Sequence, residues 1–148
     1  MQVLDPISAI LKQKGNQIWS IAPEATVYDA LTVMADKEIG SLLVMEGNKL
    51  AGMLSERDYA RKVILMGRSS RDTRVGEIMT AAPLTVAPDC SIDGAMRIMT
   101  ENRVRHLPVV GRNGSAVGLV SIGDLVKWII TSHEETIEQL QTYIAGNS

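Results

Sequence analysis

The sequence predicts an α+β fold of two β-α-β-β-α repeats packed with pseudo-two-fold symmetry, and three observations carry that prediction. The first is an internal repeat: Ser20-Ile21-Ala22-Pro23-Glu24-Ala25-Thr26-Val27 lies over Thr85-Val86-Ala87-Pro88-Asp89-Cys90-Ser91-Ile92 at an offset of 65 residues. The second is its persistence through Ala30/Ala95, Met34/Met99, Leu42/Leu107 and Val44/Val109, after which the offset becomes 66 for Gly52/Gly118, Ser55/Ser121 and Asp58/Asp124. One residue inserted in a turn explains the step. The third is size: a copy of about 60 residues is near the lower limit for a unit with its own core, so two copies should share buried surface. The expected division is 1–64 for the first copy with its N-terminal segment, 65–74 for the join, 75–131 for the second copy and 132–148 for a C-terminal amphipathic helix.

Taken in order, the N-terminal segment Val3 to Lys14 is a candidate for covering the core or for dimerisation. Ser20-Ile21 and Thr85-Val86 have the β-branched content of short buried strands. Thr26 and Ser91 stand as helix N-caps before apolar residues at helical spacing: Val27, Ala30, Leu31 and Met34, then Ile92, Ala95, Met96 and Met99. These helices should stop near Gly40 and Asn102. Two hairpins follow, Leu42 to Met45 with Leu50 to Leu54 across Gly47-Asn48, and Leu107 to Val110 with Ala116 to Val120 across Asn113-Gly114. Pro108 belongs at the start of its strand, where a missing N–H does least harm. The second helices span Glu56 to Met66 and Ile122 to Thr131, and Ile137, Leu140 and Ile144 fall on one face of the terminal helix.

Composition excludes several classes of function. Fifteen Lys and Arg against 17 Asp and Glu give a net charge of −2 over 148 residues, which argues against a nucleic-acid binder held by a basic face. Cys90 is the single cysteine, and His106 and His133 are the only histidines, so neither an intramolecular disulfide nor metal-ligand spacing exists and no metal is expected. No apolar run approaches the roughly 18 to 20 residues of a membrane span, and Met1 to Lys14 carries Asp5 and Pro6 where a signal peptide would be apolar. A cytoplasmic protein is expected. With no Phe and eight Met, the core must be aliphatic, with thioethers filling gaps.

Each copy ends in a glycine, two apolar residues and Ser-x-x-Asp: Gly52-Met53-Leu54-Ser55-Glu56-Arg57-Asp58 and Gly118-Leu119-Val120-Ser121-Ile122-Gly123-Asp124. Together with Val104-Arg105-His106-Leu107-Pro108-Val109-Val110, these strings resemble the tandem cystathionine-β-synthase (CBS) domain pair, or Bateman module, over roughly residues 5 to 130. The resemblance implies a regulatory module that binds an adenine nucleotide, whether AMP, ADP, ATP or NAD, in clefts between its halves.

Residue by residue, each assignment stands beside a plainer one. Ser55-x-x-Asp58 and Ser121-x-x-Asp124 can be helix caps, the hydroxyl accepting from a helix N–H and the carboxylate reaching back. By similarity, Asp58 and Asp124 hold ribose diols, and Ser55 and Ser121 lie near phosphate. Arg105 and His106 are either solvated edge residues or, by similarity, a phosphate-binding pair, with Arg103 a weaker candidate. Their first-copy counterparts Gly40 and Ser41 are small and neutral, so two non-equivalent sites are expected. Arg57 should approach a ligand where the second copy has Gly123, while Arg61 and Lys62 read as solvated. The sequence leaves open which cleft receives Arg105 and His106.

The base slot falls by similarity to Ser20, Ile21, Thr85 and Val86, completed by main-chain atoms around Ile39, Gly40 and Ser41 and from Val104 to Leu107 and Pro108. Arg68, Arg71 and Arg74 are a solvated basic join or a closure over polyphosphate. Three functions follow in order: a nucleotide sensor acting on a separate, unknown protein, and expected as a homodimer; a ligand-free assembly module; and a nucleotide-processing enzyme, for which no nucleophile-base pair is visible and Cys90 looks incidental. Single-stranded nucleic acid is disfavoured because a basic groove with aromatic platforms is absent.

Overall fold

The computed structural model describes residues 3–15 and 17–146, with side chains through Glu134 and at Gln141. Helix α1 (Ile7–Lys14) leads to β1 (Ser20–Ile21), α2 (Val27–Lys37), β2 (Ser41–Glu46), β3 (Lys49–Ser55) and α3 (Glu56–Tyr59). After the join come α4 (Val75–Ile78), β4 (Thr80–Ala81), α5 (Ile92–Asn102), β5 (His106–Val110), β6 (Ala116–Ser121) and α6 (Ile122–Gly146). This is the expected α+β architecture, written twice.

The caps form where hydroxyls precede the apolar periodicity. Thr26 Oγ1 accepts from Asp29 N at 3.1 Å and Ser91 Oγ from Gly94 N at 3.0 Å, each satisfying one of the donors a helix start leaves over. Strands β2 and β3 pair antiparallel, as do β5 and β6, with bulges at the equivalent steps Val44/Met45 and Val109/Val110. Strand β1 adds in parallel to β2. In the second copy the strand expected at Thr85-Val86 shrinks to one bridge: Val86 N donates to Pro108 O and Val86 O accepts from Val110 N, while Thr85 stays outside the ladder. Pro108 is third in β5 rather than first, and its carbonyl serves that bridge.

The two copies exchange their leading segments. Val75 N donates to Ala25 O, Gly76 N to Pro23 O, and Val27 N to Thr73 O; Ile7 N donates to Cys90 O, Ser8 N to Pro88 O, and Ile92 N to Asp5 O. These are the same three bonds, so the segment before copy two docks on copy one and the segment before copy one docks on copy two. Apolar side chains follow. Val75 and Ile78 join Val27, Met34, Leu42, Val44 and Leu54 in one core, and Val3, Ile7 and Ile10 join Ile92, Met99, Leu107, Val109 and Val120 in the other. A glycine permits each approach: a Cβ on Gly52 would stand 2.7 Å from Thr80 O and 2.8 Å from Met79 Sδ, and one on Gly118 2.6 Å from Leu11 Cδ2. The N-terminal segment, expected with residues 1–64, thus completes the core of the other copy, and β4 extends the first sheet to the order β1-β2-β3-β4.

Two helices depart from expectation. Helix α3 continues as a π-helical turn over Ala60–Ile64, with Leu65 N donating to Ala60 O and Arg68 N to Val63 O, and Val63 buried beneath it. Helix α6 does not stop at Thr131. From Leu125 to Ala145 the sequence holds no glycine or proline to end it, and the backbone stays helical to Gly146. The proposed apolar face of Ile137, Leu140 and Ile144 lies outside the described side chains. No helix of the described residues is long and apolar enough to cross a membrane.

Candidate functional site

Each hairpin ends by running straight into a helix, and the Ser-x-x-Asp pattern shapes that junction. Ser55 Oγ accepts from Asp58 N at 3.1 Å, while Asp58 Oδ2 accepts from Ser55 N at 2.9 Å and Ser55 Oγ at 3.0 Å. Ser121 and Asp124 repeat the pattern, Asp124 N donating to Ser121 Oγ at 3.1 Å and Ser121 N to Asp124 Oδ2 at 2.9 Å. The capping role is therefore real at both places. The next donors along tie in the neighbouring strand: Glu56 N donates to Gly40 O and Ile122 N to Arg105 O. Each carboxylate is thereby fixed beside the entry to β2 or β5.

Two clefts open there. The Asp58 cleft has a volume of about 560 Å³ and is bordered by Ser55, Arg57 and Asp58 from copy one and by Arg103, Val104, Arg105 and His106 from copy two. Gly40, Met53, Glu56 and the run of Thr80, Ala82, Pro83 and Leu84 complete its lining. The Asp124 cleft, about 460 Å³, joins Ser121 and Asp124 to Ile39, Gly40 and Ser41 from copy one and to Lys14, Ile18 and Trp19. Both volumes suit a small ligand. Gly40 and His106 border both clefts, so the two hollows stand back to back across one wall.

The electrostatics differ between them. Three arginines, Arg57, Arg103 and Arg105, border the Asp58 cleft together with the carboxylates of Asp58 and Glu56, and Asp58 Oδ1 pairs with Lys62 at 3.3 Å. In the Asp124 cleft Lys14 Nζ donates to Asp124 Oδ2 at 2.8 Å and to Leu119 O at 3.1 Å. Burial pushes the Asp124 carboxyl up, but the hydrogen bonds from Lys14 and Ser121 outweigh it and hold the group below its ordinary value. His106 moves the opposite way to a cation. Burial pushes its imidazole below the usual value, against the pull of Asp124, so it stands neutral near pH 7.

Eleven expected positions need only be located: Gly40, Ser55, Arg57, Asp58, Val104, Arg105 and His106 border the first cleft, and Ile39, Ser41, Ser121 and Asp124, again with Gly40 and His106, the second. Arg105 belongs to the Asp58 side. Ser20, Ile21, Thr85 and Val86 border neither: β1 and Val86 pair in the sheets, and Thr85 lies outside the ladder and off both hollows. The walls are made one or two residues earlier, by Ile18 and Trp19 and by Pro83 and Leu84. Leu107 and Pro108 are buried in β5 and Gly123 lies off both hollows. The arginines of the join are engaged elsewhere: Arg68 with Glu77, Arg74 with Glu24 O, and Arg71 over the Tyr28 ring. Among the described residues no group of three or more His, Cys, Asp or Glu converges as metal ligands would.

The model of the CBS domain matches this chain twice, over residues 15–64 and 75–131. A mitochondrial CBS domain-containing protein of Arabidopsis thaliana is 42% identical over 150 residues, covering 95% of this chain and 72% of its own. Among solved structures, a protein with CBS domains from Burkholderia ambifaria is 50% identical with a TM-score of 0.81, over 85% of this chain and 94% of that one. A CBS domain protein from Pyrobaculum aerophilum, complexed with AMP, is 25% identical with a TM-score of 0.73, over 80% of this chain and 88% of that one.

Proposed function

This chain belongs to the CBS-domain family, and from that premise we propose that it is a regulatory module that binds adenine nucleotides in its two inter-copy clefts and reports occupancy to a separate protein. The observation that carries the reading is the recurrence of one carboxylate, Asp58 or Asp124, at the same station of two clefts that each also hold cationic side chains. A carboxylate accepts from both hydroxyls of a ribose, and guanidinium groups match phosphate oxygens in pairs. The AMP bound to the Pyrobaculum relative supports the ligand class.

In this reading Asp58 and Asp124 hold the ribose, and Arg57 and Arg105 hold the phosphate of a nucleotide in the Asp58 cleft. Neutral His106 offers a ring N–H to either cleft. Main-chain groups near Ile39 and Val104 read the base, with Trp19 and Leu84 as apolar walls. The module is a receptor rather than a catalyst: Cys90 borders neither cleft, and burial, assisted by Asp89, pushes its thiol up and away from reactivity.

Calorimetric titration with AMP tests the assignment. Asp58→Ala and Asp124→Ala are each expected to weaken binding at their own cleft by about tenfold or more. Asp→Asn at the same positions keeps an acceptor for the serine N–H and guards against a folding artefact. If both alanine variants bind AMP as the parent does, the ribose assignment is wrong.

The module is also proposed to act as a homodimer. Ile64, Leu65 and Met66 are exposed at the end of the π-helical turn, and Val126 and Ile130 are exposed on α6; the 66-residue offset sets Ile64 on Ile130. A second copy covers both apolar patches at once. Sedimentation equilibrium is expected to find a dimer that Leu65→Asp dissociates; a monomeric parent protein overturns this part.

A further inference from the structure

The exchanged segments are superposed by an offset of 68 rather than 65: Ile7 matches Val75, Ser8 matches Gly76, and Leu11 over Gly118 matches Met79 over Gly52. Carried three residues further, the same register sets Lys14 against Ala82. Each borders its own cleft. The pseudo-symmetry of the docked segments breaks here: where the Asp58 cleft has a methyl, the Asp124 cleft has an ammonium, 2.8 Å from Asp124 Oδ2. The cation paired with Asp58, Lys62, comes instead from the same helical run four residues on, is tied to Ile78 O at 2.9 Å, and does not border the cleft.

A second feature lies in the same hollow. Ser41, 2% exposed, has an Oγ without a hydrogen-bond partner among the described residues. Burying a hydroxyl unpaired is costly, and such groups generally meet a partner. Ser41 borders the Asp124 cleft, where a ligand oxygen would meet that need.

We infer that Lys14 makes the Asp124 cleft selective for ligands that carry a phosphate. The inference rests on the ribose role proposed for Asp124. Ribose hydroxyls and the Lys14 ammonium compete for the same carboxylate, whose Oδ2 already accepts from Lys14 Nζ and Ser121 N. A nucleoside that wins this competition leaves the Lys14 ammonium, on a side chain 44% exposed, without its counter-charge. A nucleotide brings the counter-charge with it, since the displaced ammonium turns to the phosphate, with Ser41 Oγ and the neutral His106 ring on the same wall as further donors. The Asp58 cleft has no equivalent intramolecular competitor at the Ala82 position, so its arginines attract phosphate without first being released from the ribose-binding group.

The experiment uses the full chain carrying Asp58→Ala, so that the Asp124 cleft reports alone, and titrates AMP and adenosine separately by calorimetry. Lys14→Met is expected to reduce the preference for AMP over adenosine by about tenfold or more, through weaker AMP binding with adenosine unchanged or tighter. Lys14→Arg is expected to keep most of that preference. Asp124→Ala in the same background is expected to weaken binding of both by about tenfold or more. An AMP preference unchanged in Lys14→Met overturns the role of Lys14 and leaves the ribose assignment standing. Full binding of both ligands by the Asp124→Ala protein overturns the ribose assignment and the inference with it.

Discussion

Of the two residues that border both clefts, Gly40 and His106, only His106 brings a side chain. Its ring borders both, and Asp124 and Glu56 draw its pKa up while Lys14 and Arg105, after the dominant effect of burial, draw it down. Because the folded value lies below the ordinary 6.5, the unfolded chain binds more protons than the folded one between those two values. Stability therefore rises with pH across that window, is complete above it, and declines as pH falls from about 6.5. Asp124 acts in the same direction but lower, its contribution being lost only as pH drops below its ordinary 3.8. The melting temperature of the parent should thus fall between about pH 7.5 and 5.5 more steeply than that of His106→Gln. Equal slopes refute a buried, neutral His106. At this scale the sequence named both carboxylates and the basic string but missed Lys14, since α1 and α4 share only apolar matches such as Ile7/Val75 and Ile10/Ile78, and a search for similar residues finds nothing to align.

The elements divide by how local their cause is. Thr26 and Ser91 cap their helices through bonds spanning three residues, Gly47 and Gly114 turn the hairpins at φ of 62° and 80°, and all of these are readable from the residue types. The ends of α2 and α5 are not. Their left-handed residues are Glu38 and Arg103, both at φ 55°, where glycine is the usual signal; the strain of a side chain there is borne at positions that border a cleft. Strand β4 was equally hidden, and so was the reduction of the strand expected at Thr85-Val86 to one bridge. The placement of Pro83 and Leu84, rather than Thr85 and Val86, along the cleft follows from the exchange between copies: β4 pairs with β3 at Met53 and Gly52, and the chain leaves it pointing along the hollow. The π-helical turn likewise answers to tertiary packing, with Val63 held in the first core.

For the whole molecule, the exchange means that neither contiguous copy owns a complete core. Ile7 and Ile10 fill the second core from the far end of the chain, and Val75 and Ile78 fill the first from beyond the join. Two units that each finish the other should unfold together, and a cavity in one should be felt by both. Ile7, fully buried, is the sharpest place to test this: Ile7→Ala removes three methyl or methylene groups from the second core and is expected to cost about 2–5 kcal/mol. The two tryptophans make separate probes, Trp19 at the first copy over Lys37 and Trp128 against the second core, its Nε1 donating to Asp5 Oδ2 at 2.9 Å. In single-tryptophan proteins carrying Trp128→Phe or Trp19→Phe, denaturant unfolding should give coincident midpoints, and Ile7→Ala should lower both together. A shift of the Trp128 midpoint alone would mean that the copies unfold independently, and a ligand bound across both clefts would then have to create the coupling that the fold itself failed to supply.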